Sequence, residues 1–201
     1  MTDTNHITDL IGSRICHDLI SPLGAIGNGV ELLSMSTSGA AAAPELALIG
    51  QAVDSANARI RFFRVAFGAA GMGSFLSNSE ICSTLSDAYR NGRMKVEWNV
   101  DTDVPRGEAK LAFLLLLCIE NALPRGGATK VIRAPDASWA IVAQGERQNI
   151  DPALWQLVTD QNATGPIGAP TVHFALVAPL AAQLERVITY QASDMHMTIS
   201  F

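Results

Sequence analysis

Cysteine, basic charge and long apolar runs are all scarce in this chain of 201 residues. Its three cysteines, Cys16, Cys82 and Cys118, are widely spaced, odd in number and form no C-x-x-C pair. That pattern gives no disulfide framework and no cysteine metal site, and fits reduced thiols. Lysine and arginine number 14 against 19 aspartates and glutamates, a net charge of −5. The basic face of a nucleic-acid binder is therefore missing. The longest strongly apolar run, Leu111 to Ile119, falls far short of the roughly 20 residues that cross a bilayer. The N-terminus carries Asp3 and Asp9 and has no basic-then-apolar leader, so no signal peptide is expected. Internal repeats are absent, and the one low-complexity tract is an alanine-rich loop. What remains is 48% hydrophobic and 16% charged, enough core for one large domain or two modest ones without disulfides. A soluble, cytoplasmic protein is the expectation.

The chain reads as two unlike halves. Residues 6–34 and 44–68 have helical patterning, joined by a loop over 34–44 that ends in Pro44, a residue suited to opening a helix. In the second helix Leu46, Ile49, Val53, Ala56, Ile60, Phe63 and Phe67 recur at alternating spacings of 3 and 4, a heptad seam. Such a seam needs cover. Two hairpins packed as a four-helix bundle in a homodimer supply it; a hairpin lying on the second half of its own chain is the alternative. After Gly68 a linker of small residues leads to helix near 79–91, strand near 93–100, helix near 106–123, and strands near 128–133 and 138–144. Helices near 151–160 and 170–185 and two strands within 187–201 follow. The period-two alternation of Met94–Val100 is that of a half-buried strand. The fold class is α+β, with a hairpin domain over 1–70 and a two-layer α/β sandwich over 78–201.

The chemistry-bearing segment is Arg14-Ile15-Cys16-His17-Asp18-Leu19-Ile20-Ser21-Pro22. A histidine, a neighbouring acid and a proline one turn on form the pattern of a phospho-accepting histidine on a dimerising helix. Neutral imidazole is a good nucleophile, and a carboxylate holding one ring N–H leaves the other nitrogen free to attack phosphorus. Pro22 has no N–H for the Asp18 carbonyl and is expected to loosen or kink the helix there. On a wheel of about 100° per residue, Ile15, Leu19, Leu23, Ile26, Val30 and Leu33 share one side. His17 lies on the other, with Ser13, Ser21, Gly24, Asn28 and Glu31 within roughly 40° of it. A core histidine would sit among the leucines; a solvated surface histidine remains the alternative. Gly24, Gly27 and Gly29 each cost about 1 kcal/mol against alanine in a helix, which points either to close approach of another backbone or to loose packing near Pro22. Arg59, Arg61 and Arg64 cluster on the second helix, and Arg14 precedes His17 by one turn. Guanidinium groups suit a phosphoryl group or an acidic partner, and Arg64, at the edge of the seam, is the first choice for that role; a solvated helix flank is the alternative.

These residues carry a family resemblance. His17 to Pro22, the stretch Ala25 to Leu33 and the helix ending Phe63 to Gly68 resemble the ChpT histidine phosphotransferases of alphaproteobacteria. The resemblance implies a histidine-kinase architecture whose second domain does not act as a kinase. Glu120-Asn121-Ala122, closing the apolar helix, looks like the kinase motif whose asparagine holds Mg²⁺. The adenine-reading aspartate is missing, however: Val142 to Arg147 has no aspartate and one glycine. Gly165 to Pro170, where a kinase has a glycine-rich phosphate turn, contains two prolines that lack N–H groups. No ATP site and no metal site of its own are expected, and Asn121 reads as a structural remnant. His6, His173 and His196 read as ordinary fold residues.

The expected function is a histidine phosphotransferase that relays a phosphoryl group between receiver-domain aspartates. His17 is the acceptor and Asp18 orients it; Arg14, Ser21, Gly24, Asn28 and Arg64 meet the partner. The receiver brings the Mg²⁺. By resemblance the donor is the receiver domain of a CckA-like hybrid kinase, and the acceptors are CtrA-like and CpdR-like response regulators. An ATP-dependent histidine kinase and a non-catalytic dimeric adaptor for response regulators are the rival classes.

Overall fold

In the computed structural model, the described residues are 4–35, 43–69, 71 and 73–201. The middle of the expected 34–44 loop and part of the 68–74 linker lie outside them.

Helix α1 (Thr4–Met35) runs on through Pro22, and α2 (Ala43–Ala66) follows. Gly29 lies against Ile49, and Asp18 lies beside Arg59, so the two helices pair antiparallel. Glu45 in the first turn of α2 and Arg64 in its last complement the helix dipole. The expected seam of α2 divides into two lines. Ala56 and Phe63 are buried and Ile49 and Phe67 half-buried, whereas Leu46, Val53 and Ile60, seven residues apart, are exposed. The stripe on α1 divides likewise: Ile15, Leu19, Ile26 and Leu33 are half-buried, but Leu23 and Val30 face out with Ile20.

The second half builds β1 (Phe75–Leu76), α3 (Asn78–Tyr89), β2 (Met94–Asn99), β3 (Val104–Pro105), α4 (Arg106–Ala122), β4 (Gly127–Arg133), β5 (Trp139–Gln144), α5 (Pro152–Thr159), a 3-10 turn over Ala169–Thr171, α6 (Phe174–Gln183), β6 (Thr189–Ala192) and β7 (His196–Ser200). Capping defines the starts of two helices. Ser77 Oγ accepts from the Glu80 N–H ahead of α3, and Asp151 accepts from the Ala153 N–H ahead of α5. The sheet order is β2-β4-β5-β7-β6, parallel between β2 and β4 and antiparallel elsewhere. Helix α4 makes the crossover that a parallel pair requires. Every residue of its Leu111–Ile119 run is buried, as expected of a helix apolar on all sides. The strands alternate: Trp139, Ile141 and Ala143 of β5 and Met197 and Ile199 of β7 point into the core.

The structure departs from the sequence reading in two places. Strands β1 and β3 pair antiparallel over two residues each, too short to show a period. The helix expected over 170–185 is split, because Pro170 forms a 3-10 turn before α6 begins. The hydrophobic core also extends beyond the sandwich. Phe62, Phe63, Val65 and Ala66 at the end of α2 join it, with the Phe62 ring 4.8 Å from that of Phe113 and 5.8 Å from that of Tyr89.

Glu108 in the first turn of α4 is buried. It accepts from Trp139 Nε1 at 3.1 Å, from Arg133 Nε at 3.3 Å and from Arg186 at 2.5 Å, tying α4 to β4, β5 and the segment before β6. Removing the carboxylate strands all three donors. Glu108→Ala is expected to lower unfolding free energy by about 3 kcal/mol, read from the urea midpoint at constant slope.

His173, which precedes α6, is buried, and neither ring nitrogen has a hydrogen-bond partner among the described residues. Burial, with the nearby Arg14 adding to it, pushes the imidazole down to about 3. The folded protein keeps this ring neutral while an unfolded chain protonates it below the ordinary value of about 6.5. Stability therefore falls as pH drops below about 6.5, by up to about 1.4 kcal/mol per pH unit, until the folded value is reached. His173→Leu should remove that increment. Denaturant unfolding of both proteins at pH 7, 6 and 5 is expected to show the wild type losing more stability than the variant at each step.

Candidate functional site

Asp18 divides its two oxygens between different neighbours. His17 Nδ1 lies 3.2 Å from Oδ1. A carboxylate only accepts, so the ring nitrogen facing it carries the hydrogen, and Nε2 keeps its lone pair. The His17 side chain is 79% exposed, whereas that of Asp18 is only 10% exposed. On Oδ2, Arg14 Nε and a terminal nitrogen of Arg14 both stand at 3.2 Å, the i, i+4 spacing of one helix turn. A terminal nitrogen of Arg59 stands 3.9 Å from the same oxygen, an ion pair without a hydrogen bond. The His17 ring thus faces solvent while the neighbouring acid is held in a half-enclosed cationic setting.

Both arginines are tied to the sandwich. Arg14 donates to the Pro170 carbonyl at 2.7 Å. Arg59 donates to Glu120 Oε1 at 3.4 Å, and its guanidinium lies 5.7 Å from the centroid of the Phe63 ring. Burial works to lower the Arg59 pKa, but Glu120, Tyr89 and Asp18 outweigh it and the net shift is upward. Tyr89 is buried beside this group, and burial pushes its hydroxyl well up. Arg59 from α2 and Tyr89 and Glu120 from the sandwich line an open cleft of about 960 Å³ between them.

Ser21, Gly24 and Asn28 are exposed at spacings that keep them on the His17 side of α1. A Cβ built on Gly24 or Gly27 meets nothing within 4 Å, whereas one on Gly29 would come within 2.6 Å of Ile49 Cγ1. Close packing within the chain accounts for Gly29; Gly24 and Gly27 border open space. Arg64 is exposed and donates to Glu80 of α3 at 2.8 Å. Of the α2 arginines, the one beside Asp18 is Arg59. The seam carried the signal for it: Arg59 stands three residues after Ala56 and four before Phe63, on the inward line. Glu120 had no such signal, because only the docking of α4 against α2 brings it to Arg59.

Asn121 is exposed at the end of α4. Close by, a Cβ on Gly145 would meet Leu123 Cδ2 at 2.8 Å and the Gly126 carbonyl at 2.9 Å, and the Asn149 N–H donates to the Ala122 carbonyl. In the 165–170 segment the Gly168 N–H donates to Thr171 Oγ1. Among the described residues no group of three or more His, Cys, Asp or Glu is arranged to hold a metal ion. No helix among them is long and apolar enough to cross a membrane.

Residues 78–196 match the family model of the histidine phosphotransferase C-terminal domain. Over 193 residues the chain is 33% identical to protein phosphotransferase ChpT of Brucella abortus, covering 92% of this chain and 91% of that protein. A solved bacterial phosphotransferase superposes with a TM-score of 0.81 at 29% identity, covering 100% of this chain and 97% of that one. The chain belongs to the ChpT-type histidine phosphotransferases, the phosphotransfer proteins of two-component phosphorelays.

Proposed function

We propose that His17 is the residue that carries the phosphoryl group, taking it from the aspartyl phosphate of one receiver domain and passing it to the aspartate of another. The observation that carries this reading is the pairing of His17 Nδ1 with Asp18 on an otherwise exposed ring. The Nε2 lone pair attacks phosphorus in line, the N–P bond forms, and the P–O bond to the receiver carboxylate breaks. The carboxylate leaves with the bonding electrons, and no proton moves in the step. The ring gains positive charge, which the Asp18 carboxylate at Nδ1 stabilises. Transfer onward is the reverse reaction with a second receiver. Such chemistry depends on positioning and charge neutralisation, and the receiver supplies the Mg²⁺.

Receivers dock along Ser21, Gly24 and Asn28, where small exposed side chains leave room for another helix, with Arg14 and Arg64 as the cationic groups at the flank. An ATP-independent role is supported by the engaged Gly168 N–H and by the packing of Gly145 on Leu123. The family resemblance favours a CckA-like hybrid kinase as donor and CtrA-like and CpdR-like regulators as acceptors. A homodimer is supported by the exposed lines Ile20, Leu23 and Val30 on α1 and Leu46, Val53 and Ile60 on α2. Each of these six side chains is 39–66% exposed, apolar surface that a second hairpin would cover in a four-helix bundle.

His17→Gln keeps bulk and polarity but has no imidazole. It is expected to abolish acid-labile labelling by every member of a panel of phosphorylated receiver domains, with hydrodynamic size unchanged. Labelling at the wild-type level would sink the assignment of His17.

The dimer has a cleaner probe than the inward half of the seam, because Phe63 is buried in the core and a charge there breaks the fold. Val53→Asp with Ile60→Asp alters only exposed positions. The double variant is expected to sediment as a folded monomer at micromolar concentration, its dissociation constant raised at least about 100-fold, or about 2.7 kcal/mol. A wild-type protein that is itself monomeric there would contradict the bundle.

A further inference from the structure

We propose that Glu120, on the sandwich, is a positioning residue for phosphotransfer: it holds Arg59 so that the Asp18 carboxylate keeps one oxygen on His17. This rests on His17 being the phosphoryl acceptor, and it assigns the second domain a direct part in that chemistry.

Arg59 stands between two carboxylates, 3.4 Å from Glu120 Oε1 and 3.9 Å from Asp18 Oδ2. The nearer one holds the hydrogen bond and the farther one receives only the field of the charge. Asp18 Oδ2 already takes two nitrogens of Arg14, which is itself fixed at Pro170. With Oδ2 occupied, the carboxylate plane is set and Oδ1 is left for Nδ1 of His17. Removing Glu120 leaves Arg59 with Asp18 as its nearest carboxylate among the described residues. A guanidinium presents a two-pronged donor face that prefers both oxygens of one carboxylate. Arg59 then closes on Asp18 and competes for Oδ1, and the His17 ring loses the contact that fixes its tautomer.

A second observation comes from Glu120 itself. Its Oε2 is buried and has no hydrogen-bond partner among the described residues, and the nearby Tyr89 hydroxyl is buried and unpartnered in the same way. Polar atoms left so in a folded protein call for a reason. A carboxylate held here for its effect on Arg59 supplies one.

The test uses the full chain with Glu120→Ala, Asp18→Asn and the double variant, and two measurements. The first is the rate of His17 labelling from a phosphorylated receiver. The second is the imidazole ¹⁵N spectrum of the unphosphorylated protein, with the His17 signals identified by their loss in His17→Gln. Glu120→Ala is expected to slow labelling about tenfold and to move His17 from the Nδ1–H toward the Nε2–H tautomer. In the Asp18→Asn background it should slow labelling no further, since both changes act through one contact. Glu120→Gln, which keeps the shape and an acceptor oxygen, should shift both measurements in the same direction by less, and it serves in place of the alanine variant if that one does not fold. An unmoved ¹⁵N spectrum, or independent multiplication of the two rate losses, would overturn the proposal. If no receiver labels the wild type, the reading of His17 as acceptor falls instead, while the tautomer measurement still decides whether Glu120 acts on Asp18.

Discussion

The burial of the last turns of α2 in the core of the sandwich is the constraint on which the site geometry depends. Phe62 and Phe63 are almost wholly buried, and Phe62 packs on Phe113 of α4 and Tyr89 of α3. Side chains of this size contribute about 1.5–3 kcal/mol each when buried. An exposed or half-exposed ion pair such as Arg59–Glu120 contributes about 0–1 kcal/mol. Apolar packing therefore fixes where the hairpin stands against the sandwich. The charged contacts cannot set that placement, but they can orient what it delivers. Arg59, one turn before Phe63, stands between Asp18 and Glu120 because the packed phenylalanines hold this part of α2 against the sandwich.

Such an arrangement separates positioning from reactivity. The role proposed for His17 needs an accessible nucleophile, and accessibility is at odds with a fixed ring. Here the ring is exposed and its orientation is borrowed from a neighbour that is not. Asp18 is held at one oxygen by Arg14 and Arg59, and each of these is held by a different part of the second domain, the Pro170 carbonyl and Glu120. The 165–171 segment, closed on itself by the Gly168–Thr171 contact and bonded to Arg14 through the Pro170 carbonyl, and Glu120 together brace the hairpin against the sandwich.

Much of this was legible in the sequence, and the illegible parts share a cause. Long elements with a strong period were readable: both hairpin helices, the apolar α4 and the alternating β2 have spacings that admit one interpretation. The His17 face was readable as well, since a wheel places Ser21, Gly24 and Asn28 with it whatever the helix packs against. The division of the α2 seam into an exposed and a buried line was not. Period alone marks Leu46 and Phe63 as equivalent, and only the sandwich, entering from one side, buries the second and leaves the first open. For the same reason Arg64 looked better placed than Arg59. Strands β1 and β3 had too few residues to show any period, and the Arg59–Glu120 contact joins positions 61 residues apart in the chain, which no local pattern encodes.

Helix α1 shows why the residue order around His17 is so constrained. Taking His17 as the zero of a wheel at about 100° per residue, Ile15, Leu19, Ile26 and Leu33 lie near the opposite side, toward α2. Ile20, Leu23, Gly27 and Val30 lie roughly 100° to one side and form the exposed apolar line. Asp18 and Arg14 lie roughly 60–100° to the other, where the sandwich supplies Pro170 and, through Arg59, Glu120. Two sides of the helix are taken up by α2 and by contacts to the sandwich, and the His17 side is left open with small residues. An acid immediately after the histidine leaves the imidazole toward solvent and turns its carboxylate toward the second domain. One residue earlier, at Cys16, the same carboxylate would point into the apolar line; four residues later, at Ser21, it would stand on the open face with nothing from the sandwich to hold it.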